Sequence, residues 1–334
     1  MSARLLVLTL TAALLAPAAA VAQIPLAPVP EPVAEPAPAP EQVRGKVSIV
    51  AERVGRTATV LAGTRVRLRG TVRPYVAGQA VTVRVVQFGR TVFSQRRQVL
   101  PAPTGAAGVF LAGYVPKGAG AVVITASHVT TPEMSAAVSR RVGLDVLPRA
   151  VSAGSSRANV RTLQRRLKAL GYVVGTPGVY DGRTSRAVLA FRKQTGMSRV
   201  ARADRQLFAA LARGAGVFRV RFPRHGRHIE ANLARQTLAL IGAGGRVERI
   251  YPTSSGTAAT PTVLGRYRIY RKDYGRNAKG MVDASYFYNG YAIHGFDPVP
   301  IFPASHGCLR VPNPDARSIS DWGRHGTIVD VYRG

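Results

Sequence analysis

The sequence has only one cysteine, Cys308, among 334 residues. A single thiol cannot form an internal disulfide, so a framework of bridges is excluded. Structural zinc sites use four ligands, and two nearby histidines with one cysteine fall short of that number, so metal binding is the weaker interpretation. A lone cysteine is often only a small buried apolar residue. The alternative is a reactive thiol, and the residues around it must then supply the chemistry.

Acidic residues are scarce as well. The chain has 16 Asp and Glu against 47 Lys and Arg, which gives a formal net charge of +31. Such an excess indicates anionic partners or surroundings. Nucleic acid is a common partner of a basic protein, but here the basic residues are scattered and no nucleic-acid motif is recognisable. Nucleic-acid binding is therefore the least favoured hypothesis.

Long hydrophobic runs are absent except at the N-terminus. Arg4 precedes an apolar run from Leu5 to Leu15, Pro17 interrupts it, and small residues follow. This pattern predicts a signal peptide for export over residues 1–22, with an uncleaved anchor as the alternative, and no stable membrane span after cleavage. Residues 23–42 repeat proline among alanine, valine and glutamate, which predicts an extended linker.

Residues 43–148 show the alternation that is typical of strands. Apolar and polar residues alternate in Arg65–Arg69 and again in Ala80–Val85, and glycine-containing turns separate further segments of the same kind. About seven short strands in such a length predict an immunoglobulin-like β-sandwich. A wall-binding module and a plain spacer are equally compatible with this pattern.

Residues 154–214 change to a helical period, with apolar residues three or four positions apart. The first helix carries Val160, Leu163, Leu167 and Leu170 on one face. Gly171 is placed to end this helix, Thr184 is expected to cap a second, and a third surrounds Leu207. The periodicity predicts a small three-helix bundle, which by size alone could also be a DNA-binding module.

Residues 217–333 return to strands. Thr237–Ile241, a glycine-rich turn and Arg246–Tyr251 predict a β-hairpin. The turn is not a phosphate loop, because neither a Lys-Ser/Thr pair nor a helix follows it. The one predicted helix is Asn313–Trp322, with Asn313 as its cap and proline in its first turn.

The chemistry concentrates around Cys308. A thiol is nucleophilic as the thiolate, and its ordinary pKa of about 8.5 leaves little thiolate at neutral pH, so an imidazole in reach is needed to take the proton. His306 lies two residues from Cys308 and on the same face of an extended chain. His294 ends a predicted strand and could face the thiol across a sheet. From the residues alone, either histidine could be the base.

The segments Tyr291–Gly295 and Ser305–Arg310 together resemble the active-site signature of the L,D-transpeptidases, cysteine enzymes of bacterial peptidoglycan. The resemblance extends upstream to about Phe218. It includes Thr260–Ile269, which has two more residues before its glycine than the family pattern, and the loop between the two segments is shorter than in many members. The resemblance implies a mixed β-sandwich with the cysteine at the end of a groove.

The resemblance also implies roles for individual residues. Cys308 would be the nucleophile and His294 the general base and acid. The carbonyl of Gly295 would fix the tautomer of the imidazole, and the amide of Cys308, with that of Gly307, would form the oxyanion hole. The supporting candidates are Ser305, His306 and Arg310. Arginine could bind a substrate carboxylate or, equally well, brace the loop through backbone carbonyls.

The helical segment resembles the peptidoglycan-binding domain that often accompanies wall enzymes. The residues that carry this resemblance are Val160–Tyr172, Tyr180–Gly182 and Thr184–Phe191. The third helix departs from the pattern because the usual Asp-Gly does not precede it. In the family this domain is thought to hold glycan or stem peptide, and a non-binding relic is the alternative.

Together these observations predict a multidomain, mainly β protein with a signal peptide, a linker, an immunoglobulin-like sandwich, a three-helix peptidoglycan-binding domain and an L,D-transpeptidase domain. We expect an exported, monomeric enzyme of the cell wall that forms 3→3 cross-links without cofactor or metal. Its expected partners are peptidoglycan stem peptides and glycan, and anionic wall polymers. An L,D-carboxypeptidase of the same fold and a non-catalytic wall-binding protein are the alternatives.

Overall fold

The structure, a computed structural model, describes residues 42–334 except Arg56 and Thr104. The predicted signal peptide and all but the last residue of the predicted linker lie outside the described residues. Among the described residues, no helix combines the length and the apolar character that crossing a membrane requires.

The first region is built from ten strands in two sheets. The strands are β1 (Lys46–Glu52), β2 (Thr59–Leu61), β3 (Val66–Arg73), β4 (Ala80–Gln87), β5 (Arg90–Gln98), β6 (Leu100–Pro101), β7 (Gly108–Tyr114), β8 (Gly120–His128), β9 (Ala137–Val138) and β10 (Val142–Leu147). One sheet has the order β1-β3-β7-β6 and the other β2-β10-β8-β4-β5, with β9 beside β8. Leu68 from the first sheet and Val83 from the second are buried in one core. The predicted alternation is confirmed, and the immunoglobulin type stays a prediction.

Three helices follow: α1 (Arg157–Ala169), α2 (Gly182–Gln194) and α3 (Arg205–Ala212). The cap expected at Thr184 is wrong. Asp181 caps α2 by accepting a hydrogen bond from the amide of Thr184 at 2.8 Å, because a carboxylate at the position before the helix is a better acceptor for that amide. Asp204 caps α3 in the same way, through the amide of Leu207 at 3.1 Å.

The last region contains two further sheets. Its elements are β11 (His228–Asn232), β12 (Thr237–Ile241), β13 (Val247–Pro252), β14 (Gly265–Arg268), β15 (Arg271–Arg276), β16 (Val282–Tyr288), β17 (Tyr291–Phe296), β18 (Leu309–Pro312), α4 (Asn313–Trp322) and β19 (Ile328–Tyr332). The orders are β13-β12-β11-β19-β14 and β15-β16-β17-β18. The predicted hairpin is confirmed as β12–β13. Asn313 is the first helical residue of α4 rather than its cap, since Pro312 holds the cap position without a side-chain hydrogen bond.

The helical bundle shares its core with both neighbouring regions. Leu163 and Phe191 of the bundle belong to one buried cluster with Leu147 of the first region and Ile241 of the last. The amide of Ile250 also donates a hydrogen bond to a bundle carbonyl at 2.8 Å. The described residues, from 42 to 334, therefore form a single unit, and the predicted boundaries at 43–148, 154–214 and 217–333 stay predictions.

Candidate active site

The parallel pairing of β17 with β18 brings the two halves of the sequence motif together. Ile293 pairs with Leu309 and His294 with Arg310. Ile293 and Leu309 are buried in the core between the two sheets. Because successive residues of a strand point to opposite faces, His294 and Arg310 lie on the other face, and so does Cys308, two residues before Arg310. The predicted nucleophile and base therefore share one face of the sheet.

The thiol is partly buried in a small apolar environment. The cluster beside it consists of Met281, Ala284, Tyr286 and Ala292. Burial raises the pKa of the Cys308 thiol above its ordinary value, while a hydrogen bond from the amide of Ala292 and the charges of Arg310 and Lys279 oppose the rise. The sulfur lies 3.9 Å from the carbonyl oxygen of Gly290. The burial thus favours the protonated thiol over the thiolate.

The imidazole of His294 is almost fully buried, at 6% exposure. Its Nδ1 lies 2.9 Å from the carbonyl oxygen of Gly295. Burial lowers the pKa of His294, the Gly295 carbonyl opposes this, and the charge of Arg310 lowers the pKa further. A neutral ring whose Nδ1–H donates to this carbonyl leaves Nε2 as the acceptor, which is the tautomer that a base requires. Gly295 has no room for a side chain, because a Cβ there would lie 2.5 Å from Asn313 Oδ1.

Ser305 and Gly307 fix the backbone around the thiol. The hydroxyl of Ser305 donates to the carbonyl of Cys308 at 2.6 Å and accepts from the amide of Gly307 at 3.0 Å. The Gly307 amide is thus occupied, and the Cys308 amide is the better candidate for an oxyanion hole. Gly307 has a φ of 117°, and a Cβ there would lie 2.4 Å from the ring of Tyr291, so the turn requires glycine.

Arg310 braces the neighbouring loop in this structure. Its Nη1 donates to the carbonyl of Ala304 at 2.9 Å, and its guanidinium lies 3.9 Å from the centre of the Phe296 ring. Of the two functions considered for this arginine, loop bracing is the one that the geometry shows. The other supporting candidate, His306, has an exposed side chain.

Two threonines near the cysteine loop were missed as functional residues by the sequence reasoning. Thr262 donates its hydroxyl hydrogen to the carbonyl of Gly307 at 2.7 Å, and Thr260 donates to that of Ser305 at 3.1 Å. Both belong to Thr260–Ile269, a segment whose resemblance was noted without a chemical role. Their partners lie 45 positions away, and only the tertiary structure brings them together.

No group of three or more His, Cys, Asp or Glu side chains that could hold a metal ion occurs among residues 42–334 as described.

Comparisons with known proteins give two family matches and several structural ones. The family model of the L,D-transpeptidase catalytic domain matches residues 226–331, and that of a peptidoglycan binding domain matches residues 156–211. An L,D-transpeptidase from Xylanimonas cellulosilytica is 34% identical, with 55% of this chain and 98% of that chain covered and a TM-score of 0.51.

Two further L,D-transpeptidases are more distant. The one from Stackebrandtia nassauensis is 20% identical, with 55% of this chain and 95% of that chain covered and a TM-score of 0.36. The one from Mycobacterium smegmatis is 12% identical, with 86% and 99% covered and a TM-score of 0.29. No curated protein matches the chain. The Xylanimonas structure is the one of these three that supports an argument beyond resemblance.

Proposed function

We propose, since this chain belongs to the L,D-transpeptidase family, that it is an exported enzyme that forms 3→3 cross-links in peptidoglycan by acyl transfer through Cys308. The family follows from the 34% identity over 98% of the chain in the Xylanimonas structure, which contains residues 123-326 of that L,D-transpeptidase. The observation that supports the mechanism is the strand register that places Cys308 and His294 on one face of the sheet.

The first half-reaction acylates the enzyme. The Cys308 sulfur attacks the carbonyl between residues three and four of a tetrapeptide stem, and Nε2 of His294 takes the thiol proton during the attack. The amide of Cys308 donates a hydrogen bond to the oxyanion. When the C–N bond breaks, the imidazolium returns the proton to the leaving amine, D-alanine departs, and a thioester remains on Cys308.

The second half-reaction transfers the acyl group. The side-chain amine of a diaminoacid in a neighbouring stem attacks the thioester carbonyl, and His294 takes a proton from this amine. As the C–S bond breaks, the imidazolium gives that proton to the sulfur, which restores the Cys308 thiol and releases the cross-linked amide. Because burial raises the pKa of the thiol and lowers that of the imidazole, we expect both groups to be neutral before the first attack, so that the thiol proton moves to His294 during that attack. Attack by water instead of the amine would give an L,D-carboxypeptidase.

A cavity beside the helical bundle supports the proposal that the protein binds the cell wall. A cavity of about 610 Å³ lies between α1, β13 and α4. Its lining includes Arg161, Arg165, Lys168 and Arg249, and none of these four forms an ion pair with a carboxylate of the described residues. We propose that this cavity binds carboxylates of peptidoglycan or other anionic wall groups.

The proposed reaction is tested with purified protein and disaccharide-tetrapeptides. Mass spectrometry should find 3→3 dimers with the wild type and none with Cys308→Ala. Tripeptide without dimer would identify the carboxypeptidase instead. Dimers that persist in Cys308→Ala would contradict the role of the thiol, and sacculus binding without any reaction would support a non-catalytic wall-binding protein.

The cavity is tested by sacculus pull-down. Arg161→Glu combined with Arg165→Glu should weaken binding clearly. The matched control is Arg67→Glu combined with Arg69→Glu on β3, which changes the net charge equally. An equal loss in both pairs would mean that total charge, rather than this cavity, determines binding.

A further inference from the structure

The loop 297–304 connects the strand of His294 to the segment of Cys308, and its backbone carbonyls are held from outside the loop. The acceptors are Pro300, Ile301, Phe302 and Ala304, and their partners are Lys193, Arg199, Ser254 and Arg310 respectively. Two of these four partners belong to the helical bundle. The loop beside the candidate active site is therefore held partly by a different region of the fold.

Lys193 is the more unusual of the two bundle residues. It lies near the end of α2, and its side chain is buried, with 2% exposure. Its Nζ donates to the carbonyl of Thr253 at 2.8 Å and lies 3.5 Å from that of Pro300. No carboxylate among the described residues pairs with it. Burying a lysine without a counter-charge is costly, and both of its acceptors belong to the last region.

Arg199, in the turn that follows α2, makes a second contact between the bundle and loop 297–304. Its Nη1 donates to the carbonyl of Ile301 and its Nη2 to that of Ala234, each at 3.2 Å. The guanidinium thus joins the loop to the turn after β11. With Lys193, it holds two successive carbonyls in the middle of the loop.

The contact of Lys193 continues to the cysteine segment. Thr253, whose carbonyl accepts from Lys193, donates its hydroxyl hydrogen to the carbonyl of Arg310 at 2.8 Å. Ser254 exchanges two backbone hydrogen bonds with Arg310, at 3.0 and 2.9 Å. Arg310 lies two residues after Cys308 and also binds the far end of the loop through Ala304. The bundle lysine is therefore one hydrogen-bonded residue away from the strand that follows the thiol.

We propose that the helical bundle is a working part of the catalytic site, in which Lys193 and Arg199 are positioning residues that hold loop 297–304 and, through it, the cysteine segment. The inference rests on the proposed function, because it assumes that Cys308 is the nucleophile. A misplacement of about 1 Å at a reacting group can cost on the order of 100-fold in rate. Loss of either contact should therefore slow acylation while the thiol itself remains intact.

The test compares two reagents on Lys193→Met, Arg199→Leu and the control Lys46→Met, whose lysine is exposed on β1. A carbapenem acylates the sulfur through its β-lactam carbonyl and needs an ordered site, whereas iodoacetamide alkylates the thiolate and needs access and ionisation but no ordered acyl site. Intact mass against time gives both rate constants. We expect carbapenem acylation to fall roughly 10- to 100-fold in both positioning variants, with alkylation close to wild type and one cooperative thermal transition retained.

The outcomes separate this inference from the proposed function. A wild type that is not acylated contradicts the proposed function. A wild type that is acylated, with folded Lys193→Met and Arg199→Leu variants that react equally fast, overturns the inference. If both reagents slow together with a loss of thermal stability, the two residues serve folding only, and the inference is also overturned. Arg199→Lys, which keeps a cation at the partly exposed position, should recover part of the carbapenem rate.

Discussion

Replacing Lys193 by methionine should make protein stability depend on pH in a way that the structure specifies. Burial, together with the charge of Arg199, lowers the pKa of this lysine from 10.5 to about 7. In the unfolded chain the ammonium keeps its ordinary pKa. Between about pH 7 and 10.5 the unfolded chain therefore holds a proton that the folded protein has released. Because the unfolded state binds more protons in this window, the lysine makes the wild type more stable as pH rises.

The magnitude follows from the same two values. Below pH 7 both states are protonated, and the folded protein bears the full cost of a buried charge. Integrating the difference in bound protons from pH 6.5 to 9 gives a gain of about 2 to 3 kcal/mol for the wild type. Methionine fills a similar volume and has no proton to exchange, so the variant lacks this gain. Its stability relative to wild type should be highest at pH 6.5.

Urea unfolding of both proteins at pH 6.5 and 9 measures the effect as a double difference, in which the other titrating groups cancel. Lys168→Met, which removes an exposed lysine of α1, is the control and should show no pH-dependent difference. A constant difference between Lys193→Met and wild type across this range would refute the reasoning. It would mean that the two carbonyls keep the ammonium charged throughout, despite its burial.

Three further predictions concern the site and the shared core. The rate of Cys308 alkylation by iodoacetamide should keep rising at pH values where the rate of an exposed cysteine has levelled off, because burial raises the pKa of the thiol. Arg310→Met should lower the rate at pH 8, because it removes a positive charge that favours the thiolate. An alkylation rate that is flat above pH 7 would contradict this prediction. Gly307→Ala should lower the free energy of unfolding in urea by roughly 1–3 kcal/mol and abolish carbapenem acylation, since the φ of 117° and the ring of Tyr291 exclude a Cβ. An active variant with the stability of the wild type would contradict this geometry. Leu163→Ala should lower the free energy of unfolding by about 2–5 kcal/mol, because its side chain is buried in the core that the bundle and the last region share. Calorimetry should show both regions unfolding in one transition at a lower temperature. Two separate transitions would contradict a common core.

The sequence was sufficient to place the main chemical groups. The six-residue segment that contains Cys308 is unusual in its composition, and the strand that carries His294 could be recognised from its own residues, although it runs on to Phe296. The alternation of side chains along a strand is enough to predict that His294 and its neighbour Ile293 lie on opposite faces. The location of the candidate site was predicted from this local motif and from its resemblance to a known family, and the roles of its residues stay predictions.

The contacts that hold the site could not be predicted in the same way. Periodicity shows one buried face of a helix, but α2 is buried on several sides, so the burial of Lys193 could not be predicted from the spacing of apolar residues. The cap of α2 was misplaced because Asp181 and Thr184 are both good capping residues, and only the hydrogen bond decides between them. These features depend on which surfaces pack together over long sequence separations.

The common core of the bundle and the last region has a consequence for how the protein would operate along a polymer. Cutting the chain near residue 217 would leave Ala239, Ile241 and Ile250 facing water, so we expect an isolated C-terminal fragment to aggregate. Because the two regions share one core, a glycan chain bound by the helices and a stem peptide at the Cys308 sulfur would be kept at one fixed separation. The distance between the bundle and Cys308 would then determine which neighbouring stem peptide is cross-linked, which a flexible linker between two separate domains could not do.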